Sequence, residues 1–479
     1  MISSIYQYTE LMRSDFPDKT AFNWYDESIG GVATRTFSEF VRDVRCAATY
    51  LKDSGVRAGD HVAIIAPNSY GFVVMVYGIM LCSAVAVPMN YRERIEVLQK
   101  ELALADVSAV LTEKNSTVRE TVGAVFGGAM LELYGFESIT EPEEIRDSTD
   151  HGRMAAMIFT SGTMGENKCV VLSLGNFSVL TDNVVPLVEN ITAICGVKVP
   201  SFLCLLPLYH IISLGHIMRA PYLGMTTNLC PDMRYFYRDM QCMDSDFAAV
   251  VPMLIQNMHA EIANGRRYKL GTMKVLICGG AAMDPDYFRL FAENGVNIVI
   301  GYGLTESMGI ATIDFDQEYN MRGSIGKALD YVRIDFDDGE LRIKSGLVMQ
   351  GYYKMPEETA EILRDGWLYT GDLGYEDENG YIYLTGRKKN LIILSSGENI
   401  SPEELEALLY RNEDIREALV CERDGKLCAE IFCDEGRRQA VRQYVQELNR
   451  SLNFNKRMNL IEFRDTPFER TASGKIRRK

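Results

Sequence analysis

"MKVLICGGAAMDPDYFRLFAENGVNIVIGYG", residues 273–303, decides the fold class. A short apolar run, "MKVLICGG", ends in glycines. A helix-like stretch, "DPDYFRLFAENG", follows it. A second apolar run, "VNIVIGYG", then closes on glycine again. Strand, helix and strand at this spacing imply a crossover between parallel neighbours. The same alternation occurs in "HVAIIAP" before "SYGFVVMVYGIMLC" and in "SFLCLLPL" before "IISLGHIMRAPYL". The expected fold is therefore α/β, a largely parallel sheet with helices on its faces. Such sheets bind ligands at the carboxyl ends of their strands. Loops at Ser161, Gly279 and Gly301 all follow strand candidates, so they can meet at one edge.

Length and composition set the outer bounds. A chain of 479 residues exceeds a single core, so two or more folding units are expected. Apolar residues make up 47% and charged residues 24%, as in an ordinary soluble globular protein. The net charge of −16 argues against a nucleic acid as main partner. The eleven cysteines are odd in number, scattered and without a C-x-x-C pair, which excludes a disulfide framework and a zinc site. A reducing cytoplasm is the expected compartment. The first nineteen residues carry acidic groups and no apolar core, so no signal peptide is expected. "GFVVMVYGIMLCSAVAVPMN", Gly71–Asn90, is about long enough for a membrane span. We read it instead as a buried helix and a buried strand, broken near Ser83 and ended by Pro88.

From about Gly339 the pattern changes. "GELRIKSGLVMQGYY" and "YEDENGYIYLTGR" read as antiparallel hairpin pieces, and Asn379-Gly380 signals a two-residue turn. Ser401-Pro402-Glu403-Glu404 reads as a helix start, with Ser401 as cap, Pro402 at the first position and Glu404 reaching back. The expected organisation is a large multi-layer α/β domain with a β-hairpin subdomain over 1–385. A hinge at 386–389 and a small mobile α+β lid over 390–479 complete it.

"FTSGTMGENK", Phe159–Lys168, gathers glycines, hydroxyls and a lysine. Glycines let backbone N–H groups converge on an anion, and lysine adds a point charge. The loop suits phosphates, although such a stretch can also be a plain turn. It lacks the Walker A frame, since Asn167 stands five residues after Gly162. It lacks the G-x-S-x-G frame of a nucleophile elbow as well. "GYGLTESMG", Gly301–Gly309, begins like a dinucleotide fingerprint, but Glu306 replaces the third glycine. A glutamate beside a phosphate loop suits Mg²⁺, which takes one or two carboxylates plus phosphate oxygens.

These stretches join "LPLYH", "GSIGKALD", "LYTGDLGYEDENGYIYLTGRKKNLIILSSGENISPEELE" and the terminal "RTASGKIRRK". The ordered set resembles the adenylate-forming (AMP-binding) superfamily of acyl-CoA synthetases, peptide-synthetase adenylation domains and firefly luciferase. The resemblance spans nearly the whole chain. It implies an acyl-CoA synthetase: a carboxylate attacks the α-phosphate of ATP, and a thiol then takes the acyl group. ATP, Mg²⁺ and CoA are the implied reactants and cofactors.

Residue roles follow from the same resemblance. Thr160, Ser161, Gly162, Thr163, Gly165 and Lys168 resemble the ATP phosphate loop. Gly279, Gly280 and Ala281 resemble the strand end that meets adenine, and Tyr302 its stacking partner. Thr305 resembles a phosphate contact and Glu306 the Mg²⁺ ligand. Asp372 resembles the carboxylate on the ribose hydroxyls, Arg387 its companion, and Lys389 the pivot of the lid. Lys475 resembles the catalytic lysine, bridging the attacking carboxylate and the α-phosphate as charge builds there. His210 resembles an aromatic gate of the acyl pocket, and His216 is read as structural.

The loop departs from the family pattern at Met164, Asn167 and Cys169, where threonine, proline and glycine are usual. Tyr209-His210 offers no acid to hold an amino group, so amino acids are disfavoured and a fatty or aryl acid is expected. "SGENISP", Ser396–Pro402, resembles the loop of CoA ligases. Two alternatives stay open: a loader of carrier-protein phosphopantetheine, and a catalytically weakened nucleotide-binding relative. An acyl carrier protein and a homodimer are open expectations; no nucleic acid and no membrane span are expected.

Overall fold

The structure is a computed structural model that describes residues 2–160, 167–279, 285–393, 399–423, 426–470, 476 and 478. Backbone packing divides the chain into two compact units. Met1–Arg333 with Ile343–Leu368 form the first, and Ile334–Arg342 with Tyr369–Lys479 the second.

The first unit holds two large sheets. In the nine-stranded sheet, six neighbouring strands run parallel: Asn297–Tyr302, Val275–Gly279, Phe247–Val250, Phe202–Cys204, Thr227–Leu229 and Thr20–Asp26. Antiparallel strands close both edges. The seven-stranded sheet is parallel from Met154–Thr160 through Val85–Pro88, His61–Ile64 and Val107–Thr112 to Ala129–Glu132. Strands His61–Ile64 and Val85–Pro88 are buried at every position. That burial explains why they read as continuous apolar runs rather than alternating ones. The expected α/β alternation is therefore present.

The Gly71–Asn90 segment folds as expected into a helix and a strand. Helix Tyr70–Leu81 is buried at all twelve positions, and the Ser69 hydroxyl accepts from the Phe72 amide at its start. No helix among the described residues is long and apolar enough to cross a membrane.

Three local expectations need correction. Glu340–Lys344 and Gly351–Tyr352 do not pair with each other: the former joins a five-stranded sheet, and the latter pairs with Lys168–Ser173 in the seven-stranded one. The Asn379-Gly380 turn is longer than two residues. The Asp377 amide donates to the Tyr381 carbonyl at 2.8 Å, leaving three loop residues between, with Gly380 at φ +80°. This is a three-residue hairpin loop, in which glycine takes the left-handed position. Helix Pro402–Leu409 does begin with proline at its first turn, but the Ser401 side chain makes no cap bond. Its hydroxyl donates instead to the Thr385 carbonyl at 2.6 Å, and Glu404 pairs with Lys456 at 2.7 Å.

The second unit contains a three-stranded sheet of Ile415–Arg423, Lys426–Cys433 and Leu460–Arg464. Its helices Pro402–Leu409 and Arg438–Ser451 supply Leu405, Leu409, Val441 and Val445 to a shared core with Val420, Ile431 and Met458. It is an α+β unit.

Candidate active site

The candidate phosphate loop connects two antiparallel strands, Met154–Thr160 and Lys168–Ser173. Thr160 and Lys168 face each other in register, so the loop leaves and returns at one point. Ser161, Gly162, Thr163 and Gly165 lie outside the described residues, as do Gly280, Ala281 and Lys475.

Lys168 Nζ sits 4.6 Å from the centre of the Tyr352 ring. The Tyr352 hydroxyl donates a 2.6 Å hydrogen bond to Glu306 Oε1. Three segments far apart in sequence thus meet in one chain of contacts: cation, ring and carboxylate. Tyr352 is 8% exposed, and burial together with the Glu306 carboxylate pushes its phenol far above the usual range. It therefore remains a neutral donor at any working pH. Sequence reasoning assigned Tyr352 no role. The available signal was the tyrosine of "MQGYY", read there only as part of a hairpin.

Glu306 is held by its own backbone. It lies on the short turn Thr305–Ser307, and its carbonyl accepts from the Met349 amide at 2.9 Å. The Gly309 amide donates back to the Leu304 carbonyl at 2.8 Å, closing the turn. Only glycine fits at 303, because a Cβ there would lie 2.4 Å from Gly309 C and Ile310 N. Two strands deliver this turn: Gly279 pairs in register with Gly301, and Tyr302 ends strand Asn297–Tyr302 with 6% exposure.

Glu306 Oε1 takes the tyrosine's donation, and an ionised carboxylate has further acceptor capacity on its second oxygen. No cluster of three His, Cys, Asp or Glu side chains forms a protein-only metal site among the described residues. A cation at Glu306 would draw its other ligands from phosphate and water, the pattern Mg²⁺ prefers.

In the second unit, Asp372 and Arg387 face each other across strands Trp367–Glu376 and Ile382–Arg387. Arg387 Nε lies 2.7 Å from Asp372 Oδ1, and Asp372 is 3% exposed. Lys388 pairs with the buried Glu340 at 2.7 Å, and Glu340 also accepts from the Gly371 amide at 3.0 Å. Lys389 lies exposed in the turn Lys388–Asn390.

His210 is exposed and caps helix Ile211–Arg219 without a side-chain bond, its ring 4.6 Å from Tyr209. His216 is buried, stacks on Phe202 at 4.2 Å and accepts from Arg219, as a structural histidine would. Cys204 and Cys278 are buried with thiols pushed up to about 12, which removes them as nucleophiles. Cys169 is fully buried among Leu98, Leu102 and Met157. Its departure from glycine serves packing.

The model of the AMP-binding enzyme family matches residues 12–353. A feruloyl-CoA synthase of Amycolatopsis sp is 30% identical over 399 residues, covering 80% of this chain and 79% of that protein. A long-chain-fatty-acid–CoA ligase of Bacillus subtilis is 28% identical over 464 residues, covering 85% and 80% respectively. The structure of O-succinylbenzoate coenzyme A synthetase from Bacillus subtilis, in complex with ATP and magnesium ion, superposes with a TM-score of 0.82. It is 24% identical and covers 98% of both chains.

Proposed function

This chain belongs to the AMP-binding enzyme family, and from that premise we propose that it is an AMP-forming acyl-CoA synthetase acting on a fatty or aryl carboxylic acid. The observation that carries the reading is the chain Lys168–Tyr352–Glu306 at the foot of the phosphate loop. It brings a cation that suits phosphate oxygens and a carboxylate that suits Mg²⁺ onto one buried tyrosine.

The residues divide the work as follows. Thr160, Ser161, Gly162, Thr163, Gly165 and Lys168 hold the β- and γ-phosphates. Thr305 contacts phosphate, and Glu306 holds Mg²⁺, which would supply charge neutralisation at the phosphates. Gly279, Gly280, Ala281 and Tyr302 receive adenine. Asp372, oriented by Arg387, accepts from the ribose hydroxyls, since an ionised carboxylate is acceptor-only. Lys475 stabilises the charge that grows between the substrate carboxylate and the α-phosphate. His210 gates the acyl pocket. Residues 386–389 form the hinge, with Lys389 as pivot. The lid then takes one position for adenylation and another for thioester formation. CoA is the acceptor, and a carrier-protein phosphopantetheine is the alternative thiol. The eleven cysteines are all free thiols, which suits a reducing cytoplasm.

Pyrophosphate release with ATP and Mg²⁺, measured across acids from acetate to palmitate and aryl acids, tests the reading. Acid-dependent release followed by CoA thioester formation is the expected result. Equal rates with and without every acid would sink it.

A further inference from the structure

Asn167, which stands where the family usually has proline, meets the side chain of Glu101. Glu101 lies in helix Ile95–Leu104 and is 6% exposed. Its Oε1 accepts a hydrogen bond from Asn167 Nδ2. A carboxyl group is costly to bury without a partner, and Leu98, Leu102 and Ala105 around it belong to an apolar cluster. Asn167 is the partner, at the residue where the phosphate loop rejoins its strand.

The alternation of the strand extends the argument. Side chains of a β-strand point to opposite faces in turn. Cys169 packs in the same cluster as Leu98 and Leu102. Asn167, two residues earlier, reaches the same helix. Lys168 lies between them and meets the Tyr352 ring. A hold on Asn167 from one face therefore sets where Lys168 stands on the other. Burial pushes the Glu101 carboxyl up to about 7, Asn167 donation opposes that rise, and Glu93 adds to it. Near neutral pH the group exists in both forms, and either form retains a carboxyl oxygen that can accept from the Asn167 amide.

We propose that Glu101 and Asn167 are positioning residues whose hydrogen bond fixes the return end of the phosphate loop and holds Lys168 where it meets a nucleotide phosphate. The inference rests on reading this loop as the ATP site.

The test measures ATP–Mg²⁺ binding by calorimetry on the full chain, together with thioester formation from supplied acyl-adenylate. Measured at about pH 9, above the range in which Glu101 holds its proton, Asn167→Asp sets two carboxylates against each other and weakens ATP about tenfold. It leaves the thioester half-reaction unchanged, because no β- or γ-phosphate takes part there. Adding Glu101→Gln to the same chain restores ATP affinity to within about twofold. Amide and carboxylate then exchange places and the bond re-forms with donor and acceptor reversed. Asn167→Ala gives the same loss without a new charge, should the aspartate variant not fold. Unchanged ATP affinity in the single variants, no rescue in the double one, or equal loss of both readouts would overturn the proposal. Weakened ATP binding with rescue supports it whether or not any acid turns over, whereas a silent acid panel overturns the proposed function alone. No ATP binding by the unaltered chain overturns both.

Discussion

The Tyr352 hydroxyl donates to Glu306 Oε1 at 2.6 Å, while the ring of the same tyrosine lies 4.6 Å beneath Lys168 Nζ. The hydroxyl orients the carboxylate, and the ring carries the Lys168 ammonium. Tyr352→Phe keeps the ring and removes the donor. The expected outcome is a rise of about tenfold or more in the Mg²⁺ concentration needed for half-maximal pyrophosphate release. ATP binding without Mg²⁺ stays near its original value. An unchanged Mg²⁺ requirement would show that Glu306 needs no such support.

Asp372 is buried and paired with Arg387 at 2.7 Å. Asp372→Ala removes the proposed ribose acceptor and the carboxylate that faces Arg387. A hydrogen bond to a charged group is worth about 1.5–3 kcal/mol, so KM for ATP should rise roughly 10- to 100-fold. Steady-state kinetics at saturating acid check this. A KM within twofold of the original would remove Asp372 from the nucleotide site.

Lys475→Ala should lower adenylate formation by about 10²–10³ while sparing thioester formation from supplied acyl-adenylate. Lys389→Pro should show the reverse, because a fixed hinge blocks the second lid position. The two half-reactions, followed separately, decide both assignments. Equal loss of both halves in the Lys475 variant, or an unchanged thioester rate in the Lys389 variant, would refute them.

Glu101 makes stability depend on pH. Burial moves its carboxyl from 4.5 to about 7, while Glu93 and the donating Asn167 face it and the Cys169 thiol stays protonated nearby. Below pH 4.5 the group is protonated in both folded and unfolded chains and costs nothing. Between pH 4.5 and about 7 the unfolded chain ionises while the folded one keeps its proton, so stability falls by up to about 3 kcal/mol and then levels off. Glu101→Gln cannot ionise, so its stability relative to the unaltered protein should increase between pH 5 and pH 8 in urea titrations. A constant difference across that range would contradict the burial argument.

Local pattern carried the sequence reading a long way. The strand–helix–strand runs, the buried character of Gly71–Asn90 and the structural role of His216 all follow from nearest-neighbour chemistry, which a linear sequence displays. The residue types of the candidate loop are displayed locally as well, whereas the pairing of its ends at Thr160 and Lys168 came only from the structure. Errors arose where pairing joins distant segments. "GELRIKSGLVMQGYY" looked like one hairpin, yet its two strand pieces enter different sheets. Ser401 looked like a helix cap, yet its hydroxyl serves the Thr385 carbonyl.

The sequence by itself determined the α/β class, the glycine-bearing loops at strand ends and the kinds of groups available for nucleotide chemistry. Only the tertiary structure decided that Tyr352 joins Lys168 to Glu306, and that Glu101 holds Asn167. Periodicity and turn chemistry act over a few residues, whereas these contacts depend on which strands pair and on which face each side chain emerges. A one-residue slip in Lys168–Ser173 would turn Lys168 into the apolar cluster that Cys169 fills, and it is the packing of that cluster that forbids it.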